Sequence, residues 1–386
     1  MIDFTFTEEQ NMLRDMVRRF TNQEIRPHAA AIDENEELPP GLLRKAADLG
    51  FLGVAFPEHY GGGGFGETGY CILMEEISRG CNSTAVTIGG HESLGTMAIY
   101  LAGNEKQKEQ YVRPLAAGEK FAAFALTEPG AGSDAAALKT TAVKQGDRYV
   151  LNGNKTFITN GSLADVLVVF AVTDPTQKIQ NRISAFIVEK HWPGFRAGKP
   201  EKKMGIRGSH TTDLFFENLE VPEENLLGEP GKGFQVAMET LDVARVSLSA
   251  QCLGSAKELL DLSIKHANER IQFGKPIGEQ QSIQLMLADM AADIYQVESI
   301  LYRTAHMIDA GIPCRMESAI CKLVASDAVC RVADKAMQIH GGMGYMREYP
   351  IERLYRDARI NRIFEGTNEI QHLVIARDLI KGGKYP

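Results

Sequence analysis

Apolar residues recur at helical spacing through the first 120 positions. They then give way to short alternating or wholly apolar runs, and return to helical spacing from Gly233 onward. Thr7 and Gln10 form a capping box ahead of an apolar face of Leu13, Met16, Val17 and Phe20. Pro39-Pro40-Gly41 closes one segment and opens another, with Leu42, Leu43 and Ala46 as its face. Residues 70–77, 93–101 and, behind an Asn104 cap, 105–115 are further predicted helices. Gly61 to Gly64 lack the following Gly-Lys-Ser/Thr of a phosphate loop and predict a flexible connection.

Near Phe121 the period changes. Residues 121–126 are small and apolar. Residues 149–151 and 155–159 read as strands around an Asn-Gly turn at 152–153. Residues 166–172 form a valine-rich buried-strand run, and 183–188 and 213–216 follow. About seven short strands without intervening helices predict a small sandwich or barrel. Beyond Gly233, Ile283, Met286 or Leu287, Met290, Ile294, Val297 and Leu301 make one long stripe. Leu323, Val324, Val332 and Met337 suggest another, and Ile370, Leu373, Val374 and Leu379 a third. Long antiparallel helices imply a bundle. The expected organisation is α+β in three blocks: helical 1–120, β-barrel or sandwich 121–232, and a helical bundle 233–386.

Composition narrows the classes. The chain of 386 residues is 44% hydrophobic and 24% charged, as a globular protein is. A net charge of −8 and no long basic run argue against a general nucleic-acid binder. No run of eighteen apolar residues would span a membrane. The start, Met-Ile-Asp-Phe-Thr, lacks a signal peptide, so the expectation is cytoplasmic, with a processed organellar form left open. Six cysteines without C-x-x-C read as buried thiols in a reducing compartment. Nine scattered histidines without H-E-x-x-H make a metal site unexpected.

Candidate chemistry centres on residues 362–371. Glu365 lies beside Phe364 and ahead of Gly366, and Thr367 or Asn368 can cap the next helix. A carboxylate partly desolvated there would have a pKa raised toward that of a general base. Read alone, the same turn suits a solvated surface glutamate. Residues 127–134, T-E-P-G-A-G-S-D, let backbone N–H groups approach a ligand oxygen, or simply form a Pro-Gly turn. Phe157-Ile158-Thr159 offers a ring and a hydroxyl to a planar cofactor, or is an ordinary strand with a core Phe. Arg270 with Phe273-Gly274 suits bidentate phosphate contact, or is simply an exposed, solvated arginine. Gln338 to Tyr345 combines a helix-ending glycine break with room for a diphosphate, and His340 there reads as a packing residue. Asp242 and Arg245 are one helical turn apart and can pair.

Each motif alone is weak, but their order is not. F-A-L-T-E-P-G-A-G-S-D (124–134), F-I-T-N-G (157–161), M-G-I-R-G-S (204–209), L-G-E-P-G-K-G-F (227–234), L-D-V-A-R (241–245), R-I-Q-F-G (270–274), Q-I-H-G-G-M-G-Y (338–345), Y-R-D-A-R-I (355–360) and F-E-G-T-N-E-I-Q (364–371) run the length of the chain. Together they resemble the acyl-CoA dehydrogenase family, its short-chain, butyryl-type members most. The resemblance implies a helical, β, four-helix fold, a homotetramer, and bound FAD. It implies cofactor contacts at Phe124, Ala125, Leu126, Thr127, Glu128, Pro129, Gly130, Ala131, Gly132 and Ser133, and at Phe157, Ile158 and Thr159. It places Arg270, Phe273, Gln281, Gln338, Ile339, His340, Gly341 and Gly342 at the ADP part, often across a subunit boundary, and Thr367, Asn368 and Glu369 at the other end of FAD. Ser133, Asp242, Val243, Ala244, Arg245, Phe364 and Gly366 match acyl-CoA positions.

By the same resemblance, Glu365 takes the α-proton of a short- or medium-chain acyl-CoA while a β-hydride passes to flavin N5, giving the trans-2-enoyl-CoA. The Glu365 N–H and a ribityl hydroxyl would polarise the thioester carbonyl. Electron-transferring flavoprotein would accept the electrons. Three positions depart or stand out. Phe157 replaces a common tryptophan, Phe364 replaces a frequent tyrosine, and Ala244 leaves Glu365 without a rival carboxylate. His91 lies near the region that lines the acyl tail in the family and carries no assigned role.

Overall fold

The computed structural model describes residues 5–382. Residues 1–4, which carry most of the stretch read above for targeting, lie outside the described part, as do residues 383–386.

The capping box forms. The Gln10 N–H donates to Thr7 Oγ1 at 3.2 Å while the Thr7 N–H donates to Gln10 Oε1 at 3.1 Å. It starts α1 (Glu8–Phe20), which buries Leu13, Val17 and Phe20. Three helices follow, α2 (Ala29–Asn35), α3 (Leu42–Asp48) and α4 (Gly66–Ser78). Then α5 (Asn82–Gly89) runs through a π-helical stretch, Gly90–Thr96, into α6 (Met97–Ala102). Asn104 repeats the capping box ahead of α7 (Glu105–Gln107), and α8 (Arg113–Ala116) ends the block. The four-glycine loop is not slack. A Cβ on Gly62 would lie 2.2 Å from the Phe56 carbonyl oxygen. The Gly63 and Gly64 N–H groups donate to Gly53 and Phe56 at 2.9 and 2.8 Å. Close backbone packing, not flexibility, requires glycine here.

The middle of the chain forms eight strands: β1 (Ala122–Ala125), β2 (Thr141–Gln145), β3 (Arg148–Thr159), β4 (Val166–Val172), β5 (Ile183–Glu189), β6 (Phe195–Ala197), β7 (Thr211–Pro222) and β8 (Leu226–Leu227). They join in one sheet of order β6-β7-β3-β2-β4-β5-β8, with β1 added parallel to β4. The Asn-Gly turn expected at 152–153 is absent. β3 runs through it with a register shift between Leu151 and Gly153. The Asn152 side chain accepts the Asn218 N–H at 2.8 Å, and Gly153 packs against Thr140 where a Cβ would not fit. Partner strands on both sides override the local turn signal.

β4 explains its own uninterrupted apolar run. Val166, Val168, Phe170 and Val172 pack with Tyr60, Met97 and Leu115 from the helical block. Leu167, Val169 and Ala171 pack with Phe186, Leu214, Phe216 and Leu219 inside the folded-over sheet. Alternate residues therefore enter two cores, and both faces are apolar.

The last block holds α9 (Gly233–Glu269), a hairpin of β9 (Ile271–Gln272) and β10 (Lys275–Pro276), α10 (Gln281–Asp309), α11 (Arg315–His340), α12 (Pro350–Ala358) and α13 (Asn368–Ile380). Met290, Ile294, Val297 and Leu301 of α10 share one core with Leu73 and Ile77 of α4 and Leu253 and Leu259 of α9. Each such side chain contributes about 1.5–3 kcal/mol. The stripe on α13 is different: Leu373 and Leu379 are 46% and 41% exposed, and Ile380 is 85% exposed. No helix among the described residues is long and apolar enough to cross a membrane.

Candidate active site around Glu365

The chain reaches Glu365 in a left-handed turn, with φ of 54° at Glu365 and 89° at Gly366. A non-glycine residue in this region is disfavoured, so something must hold it. Three side chains do. Arg245 Nε donates to the Glu365 carbonyl oxygen at 3.3 Å. Gln371 Nε2 donates to the same oxygen at 3.2 Å and to the Gly366 oxygen at 2.9 Å. Lys322 Nζ donates to the Gly366 oxygen at 2.8 Å. A Cβ on Gly366 would come within 2.7 Å of Gln371 Nε2, so glycine is what lets that clamp close. Behind it, Thr367 caps α13, accepting the Ile370 N–H at 3.4 Å.

The carboxyl itself is left free. Glu365 Oε2 is buried and has no hydrogen-bond partner, and the Glu365 N–H has none among the described residues. Burial pushes its pKa up to about 7, and Arg245 and Lys322 hold it from rising further. A solvated surface glutamate, the other reading of this turn, does not fit these surroundings. On the side of α4, Glu67 is 3% exposed, and burial holds its carboxyl well above the usual range.

The two glycine- and aromatic-bearing segments lie side by side, because the Thr156 N–H donates to the Thr127 oxygen at 2.9 Å. Phe124 and Thr127 are half-buried, while Pro129, Gly130, Gly132 and Ser133 are exposed. A Cβ on Gly130 or Gly132 would meet nothing within 4 Å, so the loop faces open space. Ala125, Leu126, Ala131 and Ile158 are core residues. Glu128 corrects the sequence expectation. It turns inward, accepting the Lys139 and Thr140 N–H groups at 2.6 and 3.0 Å and Lys155 Nζ at 2.8 Å. This buried clasp shapes the loop, and the Glu128 carboxylate is not offered to a ligand. Phe157, at φ 57°, is 69% exposed. Thr159 abuts Gly90, where a Cβ would lie 2.9 Å from its methyl.

A second patch forms at the far ends of α9 and α11, joined by stacked rings of His266 and His340 with centroids 4.4 Å apart. Arg270, Gln281, Gln338, Gly341 and Gly342 are exposed there. Phe273, at the tip of the β9–β10 hairpin, is 94% exposed. Ile339 and His340 instead face inward, at 4% and 7%, and His340 Nδ1 lies 2.8 Å from the Ala336 oxygen. His340 is thus the packing residue its surroundings suggested, and of the run 338–342 only the glycines and Gln338 are open.

Asp242 pairs with Arg245 at 2.6 Å; the Arg245 side chain is 5% exposed and that of Asp242 22%, so the arginine is buried and its partner half-buried. Burial raises Asp242 to about 6. Val243 is half-buried and Ala244 fully buried. Phe364 packs at the edge of the main core. Asn368 is 8% exposed: its Oδ1 accepts from Lys322 and Ser326 at 2.9 and 3.0 Å, and its Nδ2 donates to Asp327 at 3.0 Å. Glu369 is exposed. His91 is fully buried, stacked on Phe121, with Nδ1 accepting the Ala122 N–H at 2.9 Å. It ties the helical block to β1. Sequence reasoning missed Lys322, Gln371 and Lys155. Their only trace is a polar residue where a helix or strand face should be apolar.

Three family models cover the chain: "Acyl-CoA dehydrogenase, N-terminal domain" at residues 7–119, "middle domain" at 123–219 and "C-terminal domain" at 231–380. The chain is 47% identical over 376 residues to an acyl-CoA dehydrogenase of Bacillus subtilis, covering 97% of this chain and 99% of that one. It is 47% identical over 382 residues to an acryloyl-CoA reductase (NADH) of Anaerotignum propionicum, covering 98% and 96%. The solved butyryl-CoA dehydrogenase of Megasphaera elsdenii superposes with a TM-score of 0.96 at 42% identity, covering 98% of this chain and 100% of that one. With all three blocks matched by family models and near-full-length relatives at 47% identity, the chain belongs to the acyl-CoA dehydrogenase family of FAD-dependent oxidoreductases.

Proposed function

We propose that this protein dehydrogenates a short- or medium-chain acyl-CoA to the trans-2-enoyl-CoA, with Glu365 as the base that takes the α-proton. The observation that carries this is the Glu365 carboxyl: on a half-buried residue, with Oε2 buried and without a partner, and poised at a pKa of about 7. A base that takes a proton from a weakly acidic thioester Cα–H works best near the ambient pH.

The residues fit FAD. The open loop at Gly130 and Gly132 lies beside Phe157 and Thr159, with space that a ligand can enter. Phe124 to Ser133, apart from the inward-turned Glu128 side chain, and Phe157 to Thr159 would hold the flavin end. Arg270, Phe273, Gln281, Gln338, Gly341 and Gly342 would hold the ADP end, with Thr367 to Glu369 at the further contact the family uses. When bound, FAD supplies the two-electron oxidation that removes the β-hydrogen. The chain does the rest. Asp242 to Arg245, Ser133, Phe364 and Gly366 orient the acyl-CoA. The free Glu365 N–H donates to the thioester carbonyl oxygen, and the Glu365 carboxylate takes the α-proton. Burial at Phe364 and Arg245 excludes water and strengthens these interactions.

Electron-transferring flavoprotein is the proposed acceptor and a homotetramer the proposed assembly. The assembly is supported by apolar surface left open on one chain, at Leu285 and Tyr295 on α10 and Leu379 and Ile380 on α13. The likeness to a protein named acryloyl-CoA reductase favours one second reading, that the same site reduces an enoyl-CoA. An anaerobic screen tests the proposal. Straight C4–C8, branched and alicyclic acyl-CoAs are each mixed with holoprotein, and bleaching of the yellow flavin is recorded. Bleaching by at least one short or medium thioester is expected. No bleaching by any of them, with oxidation of NADH by an enoyl-CoA instead, would replace the proposal with the reductase reading.

A further inference from the structure

We propose that Lys322 is a positioning residue of this site, whose ammonium anchors the Glu365–Gly366 turn and lends the Glu365 carboxylate a counter-charge. This rests on Glu365 being the base.

Lys322 sits on α11 with no exposed surface. Its ammonium donates to the Gly366 oxygen at 2.8 Å and to Asn368 Oδ1 at 2.9 Å, two uncharged acceptors that flank Glu365 on its C-terminal side. Ser326, one turn along α11, donates to the same Asn368 oxygen at 3.0 Å. Among the described residues Lys322 forms no ion pair within 4.0 Å. That is unusual for a buried amine. The other fully buried lysine, Lys155, shows the ordinary solution, a direct pair with Glu128 at 2.8 Å. The Lys322 charge is therefore not consumed by a neighbouring carboxylate. Burial pulls its pKa down to about 8, so it is still mostly protonated at neutral pH, and the negative charge that favours its protonated form most is Glu365.

The groups acting on Glu365 come from each element around it. Arg245 on α9 and Lys322 on α11 favour its ionised form. Glu67 on α4 and the Cys252 thiol on α9 also lie within electrostatic reach. Arg245 spends one nitrogen on Asp242, which offsets part of its charge. Lys322 makes no direct pair; Asp327, farther along α11, also favours its protonated form but less than Glu365 does, so Lys322 should carry a share of the stabilisation of the Glu365 anion second to that of Arg245.

The test is the pH profile of kcat/KM, with any acyl-CoA that bleaches the flavin, in Lys322→Met, Lys322→Gln and Ser326→Ala. Gln keeps an N–H donor for the turn and removes only the charge, so it serves if the Met variant does not fold. Ser326→Ala loosens Asn368 and keeps the charge. The acid limb should move up by about one pH unit or more in the Lys322 variants, with activity recovering toward wild type at pH 9, and should stay in place in Ser326→Ala. An unmoved limb in Lys322→Gln, or an equal shift in Ser326→Ala, would overturn the proposal. The two readings separate cleanly. If Glu365→Gln still bleaches, the base assignment fails; if Glu365→Gln is inert but the Lys322 limb does not move, only the role of Lys322 fails.

Discussion

Arg245 and Glu365 meet through the backbone: Nε of the guanidinium donates to the Glu365 carbonyl oxygen at 3.3 Å, while another nitrogen holds Asp242 at 2.6 Å. One buried cation thus ties α9 to the turn that carries the carboxyl, and leaves the carboxyl free. Lysine keeps the charge but cannot span both acceptors with one planar fork. Arg245→Lys should retain FAD and lower kcat/KM by about tenfold or more, because the proposed base, Glu365, is less well aimed. Steady-state kinetics beside a flavin spectrum check this.

The pH dependence has a definite sign. The pKa of Glu365 is raised by burial to about 7, and only the ionised form accepts a proton. Activity should therefore be low below pH 6 and rise through about pH 7. A limb near the ordinary glutamate range, about 4.3, would mean that the carboxyl is solvated during turnover. Initial rates from pH 5 to 9 at subsaturating substrate give the answer.

The Glu128–Lys155 pair shapes the proposed flavin-binding loop, with side chains 7% and 0% exposed. Lys155→Met leaves a buried carboxylate unpaired and should destabilise by about 3 kcal/mol or more. It should also lower the FAD content of the purified protein. Glu128→Gln combined with Lys155→Met should recover part of the loss, since no uncompensated charge remains. Thermal unfolding and flavin-to-protein absorbance ratios measure both.

Two glycine loops that look alike in sequence should respond in opposite ways. Gly62→Ala drives a methyl into the Phe56 carbonyl and should cost about 2 kcal/mol or more of stability. Gly130→Ala meets no atom within 4 Å and should fold normally, while weakening FAD retention. Melting temperatures of apo- and holoprotein separate the two effects.

That contrast shows what could be read from the chain alone. The helix–strand–helix order was legible because β4 enters two cores and α10 enters one, which writes their periods directly into the residues. The Asn-Gly pair at 152–153 misled, because pairing on both sides of β3 outweighs a local turn preference. Glu128 misled for a related reason: membership in a motif does not say which way a side chain turns. Glu365 was legible only through its motif. What makes it more than a surface residue is the clamp of Arg245, Gln371 and Lys322. Lys322 lies over forty positions away and Arg245 over a hundred, and no local pattern links them to Glu365.

The most direct measurement is anaerobic flavin bleaching by acyl-CoA in Glu365→Gln, which keeps the shape of the side chain and removes its basicity. The variant should bind FAD as the wild type does and remain yellow when acyl-CoA is added. Bleaching at the wild-type rate would contradict the account, because the α-proton would then be leaving to some other group.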